Sequence, residues 1–179
     1  MKKLSFLLIS TLTFLLVSCS SHPSLQRYLV DKQADDNFLK VDIAASLLQT
    51  DSSGLDQEQK AILNTIKKVN VVAFPVNDSN RDVYNTERKT VAEILKQEKY
   101  KTLLKMGSNK AGATLKYLGD ETAIDELIIF ASDETRGFAV FRLLGDDMNP
   151  GKMIQLMESI DKGDIDVSKF SGIGELFKT

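Results

Sequence analysis

ELIIFASDETRGFAVFRLL, residues 126–144, is a pair of short apolar runs joined by a polar loop. Glu126 to Ala131 and Gly137 to Leu144 have the length and apolar content of strands. Ser132-Asp133-Glu134-Thr135-Arg136 between them has hairpin-loop length and composition. An antiparallel hairpin is therefore expected here. Working outward, Val69 to Val76 (VNVVAFPV) is apolar on both alternations apart from Asn70, as suits a strand covered on two sides. Pro75 marks its end, because proline donates no ladder hydrogen bond. Ala113 to Tyr117 and Phe38 to Leu48 alternate with the period of two of half-buried strands. The expected core is Val71, Val72, Phe74, Ile128, Ile129, Phe138, Val140 and Phe141.

Between these strands the apolar spacing becomes helical. Leu55 to Lys68 puts Leu55, Ile62, Leu63 and Ile66 on one face. Asp82 to Met106 reads as helix, with a break near Tyr100 and a stop at Gly107-Ser108-Asn109. Asn149-Pro150 opens a last helix, with Asn as cap and Pro at its first position, and Gly163 closes it. Leu25 to Asn37 carries a weak lead-in helical pattern. The last sixteen residues hold Ile165, Val167, Phe170, Ile173, Leu176 and Phe177, and are expected to pack on the domain. The fold class predicted is α+β: a single mostly antiparallel sheet of about five strands, with helices packed mainly on one face.

The amino terminus is of another kind. Met1-Lys2-Lys3 is positive, Leu4 to Val17 is apolar but interrupted by Ser5, Ser10, Thr11 and Thr13, and small residues precede Cys19. That is the pattern of a secretory signal, and it falls short of the roughly 20 apolar residues of a spanning helix. Leu16-Val17-Ser18-Cys19 resembles the lipobox of bacterial lipoproteins, in which the cysteine is acylated and becomes the first mature residue. The expected organisation is a signal peptide at 1–18, lipidated Cys19 and a tether at 19–24, and one domain at 25–179. More than one acyl chain on Cys19 would make the anchor stable. Ser20 after the cysteine resembles lipoproteins sorted to the outer membrane, and no acidic run follows. A periplasm-facing outer-membrane location in a Gram-negative bacterium is expected.

Cys19 is the one cysteine and His22 the one histidine. With Cys19 acylated, the domain has no thiol for a disulfide, a nucleophile or a metal. His22 lies on the tether, away from any partner for a triad or a His-ligated metal. Without residues 1–18, 21 cations face 25 carboxylates, a net −4. That balance argues against nucleic acid as a partner. Paired carboxylates recur at Asp120-Glu121, Asp125-Glu126, Asp133-Glu134 and Asp146-Asp147, where turn chemistry alone would put them. Asp133 and Glu134 are expected at one end of the hairpin and Asp146 and Asp147 at the other, on the order of 20 Å apart. Asp161, Asp164 and Asp166 lack calcium-loop spacing, and Gly107 to Gly112 lacks a phosphate-loop pattern. Lys99, Lys101, Lys105 and Lys110 read as a solvated helix face, with attraction to acidic headgroups as the alternative. Met148, Met153 and Met157 read as core. No catalytic, cofactor or metal residue is assigned; Cys19 is the single modification site.

VDIAASLLQ, KKVNVVAFPV, a long segment ending in YKTLLKMG, and DELIIFASDETRGFAVFRLLGDDMNPGKMIQLMESI follow in that order behind the lipobox. This succession over residues 38–162 resembles a family of envelope lipoproteins filed as domain of unknown function family 4252, with Tyr100 opening the segment before the middle strands. The resemblance implies a location and a single-domain fold, and no catalytic residues. The expected function is a membrane-tethered, non-enzymatic binding or interaction module of the cell envelope, with an envelope protein as a possible partner. The alternatives are a hydrolase working through carboxylates and a carrier of hydrophobic ligands.

Overall fold

The computed structural model describes residues 23–44, 46, 56–108 and 110–161, with side chains through residue 155. The signal, Cys19, the tether through His22, and the apolar carboxyl-terminal segment lie outside the described residues. So do Asp164, Asp166 and the side chain of Met157.

The elements run α1 (Leu25–Asp31), a 3-10 turn (Lys32–Ala34), β1 (Leu39–Ala44), α2 (Gln57–Thr65), β2 (Ile66–Pro75) and α3 (Arg81–Leu95). Then come β3 (Lys101–Gly107), β4 (Ala111–Gly119), β5 (Ile124–Asp133), β6 (Gly137–Met148) and α4 (Pro150–Asp161). All six strands form one antiparallel sheet in the order β1-β2-β6-β5-β4-β3. The α+β class and the single antiparallel sheet agree with the sequence, and the hairpin of residues 126–144 is its centre.

Three expectations need correction. Residues 101–107 are a sixth strand, not the end of a helix. Lys, Leu and Met favour helix locally, but pairing with β4 across a short turn overrides that preference. Gly107, at φ +89°, begins the turn in a conformation that suits glycine. Second, the helix expected to reach Lys68 ends at Thr65, and β2 begins at Ile66. Its true start is Asp56, which forms a capping box with Gln59: Gln59 N donates to Asp56 Oδ1 at 2.7 Å and Asp56 N to Gln59 Oε1 at 3.0 Å. Third, helices pack on both faces of the sheet.

Strand alternation explains the two faces. Val72, Phe74, Ile128, Phe138 and Val140 point to one side, where α1 and α3 add Leu25, Tyr28, Leu29, Tyr84, Val91, Ile94 and Leu95. Phe74 is fully buried there, 5.0 Å from the Phe38 ring and stacked at 5.8 Å on Phe138. On the other side Leu115, Tyr117, Ile124 and Leu127 meet Ile62 and Leu63 of α2 and Met153 of α4. Met148 and Met153 are core, as expected. Of the eight predicted core residues, Ile129 and Phe141 are only half-buried. Gly137, at φ +122°, brings β6 so close to β2 that a Cβ would stand 1.9 Å from the Phe74 carbonyl oxygen. Asn149 caps α4 as expected, accepting from Lys152 N at 3.1 Å.

Candidate functional site

A concavity lies on the α3 face, between the helix and strands β3 to β5. Arg88, Ala92 and Leu95 recur at helical spacing along one stripe of α3 and, with Lys96 at its carboxyl-terminal cap, form one wall. The floor comes from β3, β4 and β5. In the sheet, Thr102 faces Lys116 and Lys105 faces Thr114 across the β3–β4 pair. Gly112 faces Ser132, and Thr114 faces Phe130, across the β4–β5 pair. A register shift between Thr102 and Leu104 lets Thr102 and Lys105, three residues apart, share one face. Without it, alternation would turn Lys105 to the opposite side. The cleft is about 600 Å³.

The electrostatics are one-sided. Among the described residues, four cations and no Asp or Glu line the cleft. Lys96 is paired at 2.6 Å with Glu93, which stands outside the lining. Lys116 donates to the Tyr100 carbonyl oxygen at 3.0 Å, and Lys105 makes no ion pair among the described residues. Burial, and then the Lys105 charge, hold the Lys116 ammonium below its usual range. Thr102, Thr114 and Ser132 add hydroxyls to the walls. Such a surface can accept an anion, while Ala92, Leu95 and Phe130 add apolar area.

A second, smaller hollow of about 290 Å³ lies between α1 and α3. Glu87 is spoken for there: Oε2 accepts from the Tyr28 hydroxyl at 2.9 Å and Oε1 from Lys32 Nζ at 2.6 Å. Burial, then the Glu87 charge, push the Tyr28 hydroxyl well above its ordinary pKa. A tyrosine kept protonated and a carboxylate with both oxygens engaged form a clasp between helices, not an acid–base pair.

The carboxylate pairs of the sequence fall at both ends of the sheet. Asp133 pairs with Gly137, whereas Met148 pairs with Ile124 nine residues along β5, a span of about 30 Å. Asp133 and Glu134 are thus remote from Asp146 and Asp147. Asp120, Glu121 and Asp125 share the Asp146 end, because Gly119 pairs with Ile124. Even so, no group of three or more His, Cys, Asp or Glu side chains comes together among the described residues. Glu126 is consumed in a buried pair, accepting from Arg142 Nη2 at 2.8 Å, and Asp146 is bridged by Lys67. Gln26 of α1 accepts from the other Arg142 nitrogen, Nη1. Of the basic stretch, Lys99 and Lys101 sit over the Tyr100 and Tyr117 rings, and only Lys105 enters the cleft. Its companions Arg88, Lys96 and Lys116 drew no attention in the sequence, for they come from α3 and its carboxyl-terminal cap and from β4, on either side of that stretch.

The sequence profile of a family described as domain of unknown function (DUF4252) matches residues 32–157. That is more than two thirds of the chain and every strand of the sheet. The chain belongs to this family. The DUF4252 match contains the whole cleft, from Arg88 to Ser132, and stops short of Cys19 at one end. It also excludes α1, although Gln26 and Tyr28 of that helix tie onto DUF4252 residues Arg142 and Glu87. No curated protein and no solved structure matches the chain.

Proposed function

We propose that this DUF4252 protein is a lipid-anchored, periplasm-facing module of the bacterial envelope that acts by binding, and that the cleft between α3 and β3–β5 is its binding site. The cleft is the observation that carries the reading. It is concave, of ligand size, and amphipathic. Its polar groups are cations and hydroxyls, which hold ligands well, and among the described residues it offers no carboxylate to serve as a general base. The anchor is argued from Leu16 to Cys19, and acylation there would hold the domain within a short tether of the membrane. Among the described residues no helix is long and apolar enough to span a membrane. The hydrolase alternative loses support, since Glu126 is engaged by Arg142 and the pairs at Asp133 and Asp146 lie at opposite ends of the sheet.

The test is recovery of the native ligand. Protein purified from membranes is extracted with solvent, and the released small molecules are identified by mass spectrometry. A compound released in stoichiometric amount, and reduced by Lys105→Glu, supports the reading. Extracts indistinguishable from a blank purification, for both proteins, would contradict it.

A further inference from the structure

We infer that the cleft takes a phosphate group carried on an apolar chain. The inference rests on the reading of the cleft as a binding site and adds the chemistry of the occupant. A chain with net charge −2 gathers Arg88, Lys96, Lys105 and Lys116 around one hollow without a lining carboxylate among the described residues. Like charges brought together cost free energy unless an anion joins them. Lys116 is held below its usual range first by burial and then by the neighbouring Lys105 charge. Lys105 has no ion pair among the described residues, so its charge is available to a ligand.

The donor set suits an anion with several oxygens. Lys105 and Thr114 face one another across the β3–β4 pair, and so do Thr102 and Lys116, giving two ammoniums and two hydroxyls on adjacent strands. A phosphate offers three or four acceptor oxygens to such a ring of donors. The rest of the lining is different in kind. Ala92 and Leu95 on the helix, and Phe130 in the floor, are carbon surfaces beside the cations. A free inorganic anion would use the ammoniums and leave that surface wet; an alkyl phosphate uses both.

Titration calorimetry on the full processed protein, held in a phosphate-free maltoside detergent, tests this with hexyl phosphate, inorganic phosphate and hexanol as probes. Hexyl phosphate should bind, inorganic phosphate should bind about tenfold more weakly or less, and hexanol should give no measurable binding. Lys105→Glu, a change at an exposed position, should weaken hexyl phosphate by about tenfold or more. Lys152→Glu, on α4 at the other face of the sheet, should change it less than about twofold. Circular dichroism confirms that both variants are folded. Equal affinity for inorganic and hexyl phosphate would overturn the apolar half of the inference. Hexanol binding as tightly as hexyl phosphate, or indifference to Lys105→Glu, would overturn the anionic half. A neutral or cationic native ligand recovered from the cleft would likewise defeat this inference while leaving the binding reading intact.

Discussion

Replacing Glu126 by Leu and Arg142 by Met, singly and together, asks whether a carboxylate of the acidic pairs serves structure or chemistry. The two side chains meet at 2.8 Å, each with 11% of its surface exposed. At an effective dielectric near 20, their attraction is about 6 kcal/mol. Removing two such ions from water costs several kcal/mol each, so the pair is worth close to nothing net. Among the described residues the buried Arg142 Nε has no hydrogen-bond partner, which offsets the bond to Gln26. Removing one partner is different, because a buried charge is left alone. Each single variant should lose about 3–5 kcal/mol, and the double variant should lie within about 2 kcal/mol of the parent. Urea unfolding followed by circular dichroism measures all four corners of the cycle. If the double variant costs the sum of the two singles, or each single costs under about 1 kcal/mol, the pair is not the buried structural unit described here.

Phe74→Ala should lose about 3–5 kcal/mol in the same assay, since Phe74 is fully buried among Phe38, Phe138 and Tyr84; a loss below about 1 kcal/mol would contradict the central place of β2. Burial raises the hydroxyl pKa of both Tyr28 and Tyr84, so both favour the protonated form in the fold. Their contribution to stability is complete below the unfolded tyrosine pKa of about 10 and declines as pH rises past it, because the unfolded chain then binds fewer protons. Tyrosinate absorbance should show these two ionising at higher pH than a free tyrosine, and reversible ionisation of all four tyrosines near pH 10 in the folded chain would refute this. Cys19→Ser should release the protein from the membrane fraction or stall it as precursor; unchanged fractionation and mass would remove the anchor from the account.

What the sequence made legible were elements whose burial is symmetric or whose ends are marked chemically. Val71 to Phe74 are apolar on both alternations because both faces of β2 are covered. Asn149 and Pro150 mark the start of α4 with a cap and a fixed φ. The polar loop around Asp133 marks the turn, where Asp133 Oδ1 accepts from Thr135 N and Arg136 N at 2.7 and 3.0 Å. The misreading of residues 101–107 has a physical origin. β3 is an edge strand, exposed along nearly all its length, so burial imposes no alternation on it. Its lysines guard the edge and mimic a solvated helix. The cleft was hidden for a related reason. It needs a β-bulge to turn Lys105 inward and a helix, three strands and their register to bring Arg88, Lys105 and Lys116 together. None of that is local in sequence. The clasp of Tyr28, Lys32 and Glu87 was equally invisible, because the tyrosine and the carboxylate are 59 residues apart.

The central claim, that this cleft is where the protein binds, is tested most directly by amide chemical-shift mapping with hexyl phosphate. The account predicts that saturable shifts cluster at Thr102, Lys105, Thr114, Lys116 and Ser132, and that Lys105→Glu abolishes the saturation. Shifts concentrated around Glu87, or at the Asp146 end of the sheet, would contradict it, as would a spectrum that does not change.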